Sequence, residues 1–175
     1  MTFTHRISAL LLTFSLLLPA DLHASDLMLP REPSKADIPA RNYLGERVRG
    51  LTFRATSVSR RSDGQMVVMY GFIVGRPSGR ANFFYWNDLQ GIECHGTTRK
   101  DDRGRGVGVN ICRQNGRTIL RDKVTIPSEK YMHFHGTTKQ KNRDLQGRVV
   151  WTILRWHLRS GFPNPQPLID AFGHE

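Results

Sequence analysis

The sequence predicts an all-β fold, mainly antiparallel: a small barrel or sandwich built from a meander and two repeated hairpins, with one disulfide and a short C-terminal helical turn. Three observations lead there. Alternating or apolar runs recur about every ten residues, separated by Gly, Asp, Asn and Pro, which is the rhythm of short strands and tight turns. The two cysteines, Cys94 and Cys112, lie in a stretch that reads as one hairpin. A tetrapeptide, His-Gly-Thr-Thr, occurs at 95–98 and again at 135–138 within two similar segments.

The amino-terminal residues set the expected compartment. Thr4-His5-Arg6 is a short basic start, Ile7 to Ala20 is almost continuously apolar, and Leu22-His23-Ala24 ends on a small residue. This is the order of parts in a cleavable secretory signal peptide over 1–24, and the apolar run is shorter than the roughly 20 residues a spanning helix needs. The reading expects a periplasmic or secreted protein with no transmembrane segment after cleavage. Removal of 1–24 takes one Arg (Arg6) and one Asp (Asp21), so the formal charge of +11 stays with the remainder. In an oxidising compartment the two cysteines are expected to bridge, as Cys94–Cys112, because further ligands at metal-binding spacing are missing around them.

Residues 25–45 form a Pro-rich leader expected to be extended or disordered, since Pro30, Pro33 and Pro39 lack backbone donors. Residues 46–175 are expected to be a single β-rich domain. Leu51, Phe53 and Ala55 alternate with Thr52, Arg54 and Thr56, the period of a strand with one wet face. Ser62-Asp63-Gly64 makes a turn, Met66 to Val74 a nearly all-apolar strand, Arg76-Pro77-Ser78-Gly79 a second turn, and Asn82 to Trp86 an aromatic strand.

The repeat spans 94–113 and 134–155. Each copy runs from His-Gly-Thr-Thr through a basic polar stretch and a glycine to an apolar segment ending in Arg113 or Arg155. The copies differ by two residues in the loop: superposing the Arg113 and Arg155 ends sets Cys112 on Leu154, and superposing the His-Gly-Thr-Thr starts sets Cys94 on Phe134. The second hairpin is therefore expected to have a Phe134–Leu154 contact where the first has sulfur. The same equivalence decides Val149 to Leu158 as a strand over a helix, since its counterpart is rich in glycine. Gln114-Asn115-Gly116-Arg117 is a two-residue hairpin signal, and Val124 to Ile126 a further strand. After Pro163, Pro165 and Pro167, Leu168 to Phe172 is expected to make a helical turn.

Phe134-His135-Gly136-Thr137-Thr138, with Gly161-Phe162 downstream, resembles the His-Gly-Ser/Thr segment that opens the nicotinamide site of poly(ADP-ribose) polymerase-like ADP-ribosyltransferases. The resemblance implies a transferase domain with a Tyr and a Glu supplied after this point, and the chain ends at Glu175. The duplicate at His95 points instead to a repeated hairpin feature. His133 and His135, two apart, would share a strand face, yet no carboxylate or cysteine completes a metal set at recognisable spacing. Glu93, His95, Arg99 and His135 together would supply an acid, a base and a phosphate-holding cation, so a secreted nuclease using His95 and His135 is the alternative function.

Charge carries the leading expectation. Arg99, Lys100, Arg103 and Arg105 fall in one hairpin loop, and Lys139, Lys141 and Arg143 in its equivalent. With 20 Arg to 6 Lys, the chain favours guanidinium, which grips phosphate and carboxylate with two prongs. If both loops emerge at one end, they form an anion-attracting surface. The predicted function is a non-enzymatic binding or accessory module with no cofactor, metal or catalytic residue. Its expected partner is an anionic polymer, nucleic acid among them, or an acidic protein. Phe83 to Trp86 would be either core or a stacking platform.

Overall fold

The computed structural model describes residues 27–75, 79–131 and 133–173, so the expected export signal lies outside the described residues. Eight antiparallel strands follow one another: β1 (Leu51–Arg61), β2 (Met66–Gly75), β3 (Ala81–Asn87), β4 (Ile92–Lys100), β5 (Gly106–Gln114), β6 (Arg117–Ile126), β7 (His135–Arg143) and β8 (Val149–His157). Their order in the sheet is β6-β5-β4-β3-β2-β1-β8-β7, so consecutive strands pair except β6 with β7, and β8 returns to β1. The sheet is thereby curled into a nearly closed up-and-down barrel. Between β6 and β7 the seam is bridged by Leu145 N–H to the Ile119 carbonyl and by Gln140 Nε2 to the Thr125 carbonyl, both 3.4 Å. Both seam strands present Lys and Arg outward, a usual defence of an incompletely paired edge.

The alternation expected of β1 is present, with Phe53, Ala55 and Ser57 facing the barrel interior. Residues 55–58 are nevertheless buried on both faces. The reason is tertiary: segments from both termini lie across the outside of β1–β3. Ile38 and Val48 pack on Phe72, Val74 and Phe84. On the C-terminal side, Phe162 rests on Tyr70 and Phe72, and Leu168 and Phe172 of the segment around α1 (Gln166–Asp170) cover Val58, Val68 and Ile153. This double covering explains why β2 is an almost continuous apolar run.

The 25–45 leader is ordered from Leu27 onward. Ser34 caps a short 3-10 turn over Lys35–Asp37, and Asn42 donates to Asn82 Oδ1 at 2.9 Å in a buried contact.

The interior is filled by Phe53, Met69, Ile73, Phe83, Tyr85, Ile92 and Trp156, with the Cys94–Cys112 disulfide among them. The two cysteines sit directly opposite each other on β4 and β5. Glycines make room where rings cross the wall: a Cβ on Gly136 would collide with the Trp156 indole, and one on Gly71 with the Phe84 carbonyl and the Tyr85 ring. One pole is plugged by Tyr131, whose hydroxyl donates to the Gly79 carbonyl at 2.8 Å beside Ile126 and Trp156. The other pole, ringed by the turns after β1, β3, β5 and β7, is open.

The repeat holds as two hairpins but not in the register the sequence suggested. Leu154 pairs with Thr138, and Phe134 stands 62% exposed before β7 begins, so the expected Phe134–Leu154 contact does not form. What the hairpins share is a turn, Asp101-x-x-Gly104-Arg105 and Asp144-x-x-Gly147-Arg148. In each, one Asp oxygen accepts two backbone N–H groups, those of residues i+2 and i+4. The other Asp oxygen binds the Arg Nε, at 2.8 Å in the first turn and 2.6 Å in the second. From Thr98 to Asp101 is three steps and from Thr138 to Asp144 six, so superposing either end of the repeat misplaces the other. Val149–His157 is a strand, as the repeat required.

Candidate anion-binding face

A meander places successive turns at alternate poles. The β4–β5 turn, with Arg103 and Arg105, lies at the plugged pole, and the β7–β8 turn lies at the open one. The expected joint surface of the two loops is therefore corrected: Arg99, Lys100, Arg103 and Arg105 do not meet Lys139, Lys141 and Arg143. Two of the first group are also engaged by carboxylates. Arg99 Nη2 is 3.7 Å from Glu46, and Arg105 Nη2 is 2.8 Å from Asp101.

The same geometry separates the nuclease set. His95 on β4 and His135 on β7 are three strands apart around the barrel and both point outward, hence away from each other. Glu93 Oε2 sits 4.0 Å from His95 Nε2, and Glu93 Oε1 3.9 Å from Arg113. The His95 ring packs edge-on against Phe84 and Trp86, and burial pulls its pKa below the usual histidine range, with Glu93 opposing and Arg113 assisting. The aromatic run on β3 splits by alternation. Phe83 and Tyr85 enter the interior, while Phe84 lies fully buried under the amino-terminal segment, so no open stacking platform results.

Lys139, Lys141 and Arg143 belong to a different surface, one the loops did not reveal. Across β6, β7, β8 and β1 the strand sequences contain a single carboxylate, Asp122, and it faces inward opposite Asn110. Outward stand Arg121 and Lys123 on β6, Lys139, Lys141 and Arg143 on β7, Arg155 on β8 and Arg54 on β1. Cross-strand rows set them side by side: Arg54–His157–His135, then Thr56–Arg155–Thr137, then Arg60–Trp151–Lys141. Trp151 holds the Lys139 and Lys141 ammonium groups 5.0 and 5.1 Å from its ring, and the Lys139 group also lies 5.8 Å from the Phe172 ring. Arg155 is exposed and has no carboxylate partner among the described residues.

At the lower edge of this face His135, Arg155, His157 and Arg159 line a groove of about 440 Å³. Three arginines surround His157 there. Burial lowers the pKa of His157, and Arg155, Arg159 and Arg54 lower it further. Its Nδ1 is buried without a hydrogen-bond partner. The opposite wall contrasts with this one, because its carboxylates are spent on neighbouring arginines: Glu46 on Arg80 and Arg99, Glu93 on Arg113. Sequence could have located the face, since four strands share one carboxylate, but only if their adjacency and the inward side of β6 were known.

No family model matches the chain, and no significant match appears among curated proteins or solved structures. Among the described residues there is no group of His, Cys, Asp and Glu able to hold a metal ion, and no helix long and apolar enough to cross a membrane.

Proposed function

We propose that this domain is an exported, non-enzymatic binding module that holds an anionic polymer against the outer face of β6–β7–β8–β1. One observation carries the reading: cations on four adjacent strands face outward while their one carboxylate faces inward. An anion on that face meets guanidinium and ammonium groups on strands whose one carboxylate points the other way, and releases its counterions on binding. Envelope polymers rich in phosphate or carboxylate match the export signal read in residues 1–24; nucleic acid and an acidic protein surface are the competing occupants.

Salt elution from immobilised heparin tests it. Reversing Lys141, Arg143 and Arg155 to Glu together should lower the eluting salt concentration sharply, with each lost phosphate-type contact reducing the logarithmic salt slope by about 1. The matched variant Arg99→Glu with Arg103→Glu, at the plugged pole, should change it far less. Equal loss in both variants would point to net charge alone, and no loss in the first would end the proposal. The exported location is checked by intact mass of the protein recovered from the envelope fraction, expected to begin at Ser25.

A further inference from the structure

Among the described residues, three polar atoms in the barrel interior have no hydrogen bond: Tyr85 Oη, Asn110 Oδ1 and Asp122 Oδ2, each shielded from solvent. All three residues line one internal cavity of about 70 Å³. Met69, Cys94, Cys112 and Leu120 line both this cavity and a mouth of about 280 Å³ at the open pole, so the two adjoin. Buried polar groups are almost always paired, because each one left unpaired costs the free energy of its desolvation. Three such atoms gather around one cavity beside the open pole.

The identity of the atoms narrows the partner. Asn110 and Asp122 stand opposite each other on β5 and β6 and face the same way. Asn110 directs its amide nitrogen to Cys112 Sγ at 3.5 Å, which leaves its oxygen for the cavity. Gly96 allows this, for a Cβ there would lie 3.0 Å from that oxygen. Two neighbouring acceptors, one of them a carboxylate, repel an anion and leave an acceptor-only ligand unpaired. They match a group bearing several N–H donors and a positive charge. The rest of the lining is mixed: Phe83, Val124 and Leu154 give apolar surface for a short hydrocarbon stem, and Ser57, Gln140, Asn142 and Thr152 add neutral hydroxyl and amide groups on the facing strands. Gln65, Gln90, Gln114 and Gln146 line the mouth, where both arginines are already paired, Arg61 with Asp63 and Arg148 with Asp144.

We propose that the barrel binds a small organic cation, a primary amine on a short aliphatic stem, whose ammonium is held by Asp122 and Asn110 with the Tyr85 hydroxyl as third contact. The rest of the ligand would extend through the mouth past the glutamines. Burial raises the Asp122 carboxyl above its ordinary range, with the Lys123 backbone N–H only partly opposing, and raises the Tyr85 phenol as well. A carboxylate so placed gains most from a cation that enters with it.

Calorimetric titration of the full mature chain with butylamine, putrescine and agmatine tests this, using butanol and butyramide as uncharged counterparts. At least one amine should bind saturably with a dissociation constant below about 1 mM, and the uncharged compounds at least tenfold more weakly. Asp122→Asn should weaken that amine more than tenfold. Tyr85→Phe should weaken it severalfold while leaving the melting temperature equal or higher, since it deletes an unpaired hydroxyl. Reversal of the outer-face residues Arg143 and Arg155 should leave amine affinity unchanged or higher, which separates this site from the polyanion reading. Absence of saturable binding by all three amines, equal binding of butanol, or full affinity in Asp122→Asn would each overturn the proposal and leave the cavity as one filled by water.

Discussion

The β4–β5 and β7–β8 hairpins use the same Asp-x-x-Gly-Arg turn and begin with the same tetrapeptide, yet they end up doing different things. The first lies inside the wall, with β3 and β6 on either side, its disulfide within the barrel and its outward Glu93 paired to Arg113. The second has the seam along β7, no covalent link, Trp156 stacked over Gly136, and Lys139, Lys141 and Arg143 facing outward. Local chemistry therefore sets the turn, whereas neighbours in the sheet set what the flanking strands become. Because one hairpin starts on an even-numbered strand and the other on an odd one, equal turns project from opposite poles.

The sharpest way to break this contrast is to remove what each hairpin buries. Trp156→Ala removes an indole that is almost fully buried and donates from Nε1 to the His133 carbonyl at 3.0 Å. A loss of about 3–5 kcal/mol in denaturant unfolding is expected, centred on the β7–β8 hairpin. Replacing Cys94 and Cys112 by Ala should cost about 3 kcal/mol on the loop-entropy scale for a bridge of this span. If the disulfide only reinforces a strand pair already held on both sides, the reduced protein should keep its far-ultraviolet spectrum at low temperature. Loss of β signal there would show that the first hairpin depends on sulfur as the second depends on Trp156.

Asp101→Ala and Asp144→Ala probe the shared part. Each carboxyl is held below the ordinary range despite opposing desolvation, Asp101 by Arg105 and the Arg103 backbone, Asp144 by Arg148 and the Gln146 backbone. The two variants should lower the urea midpoint by similar, modest amounts, each less than loss of the disulfide. A large difference between them would mean the turns are alike in form only.

The smallest expected effect belongs to the outer face of β4. The folded pKa of His95 lies below its unfolded value of about 6.5, so the unfolded chain takes up the proton first as pH falls. The His95 contribution to stability is therefore full above the unfolded pKa and declines as pH drops through it toward the folded one. Relative to wild type, His95→Gln should show a shallower loss of stability between neutral and mildly acidic pH, read from melting temperatures across that range. An identical slope would remove His95 from the account.

Much of this protein was legible in its residues. Alternation in β1, the apolar run of β2, the Asn-Gly turn before β6 and the lone pair of cysteines specify strands, turns and one bridge without reference to anything distant. The two Asp-x-x-Gly-Arg turns were also there to be read, but the His-Gly-Thr-Thr copies drew the alignment to the wrong end of each hairpin. What the tertiary structure alone decided is which side of each strand faces in and which pole each loop occupies. Period-two patterning marks two faces without saying which is covered, and strand count from β1 fixes the poles only once the barrel has closed. Hence the net positive charge was visible from composition, while its concentration on β6–β7–β8–β1, and the turning of Asp122 toward Asn110 and Tyr85, came from register and closure.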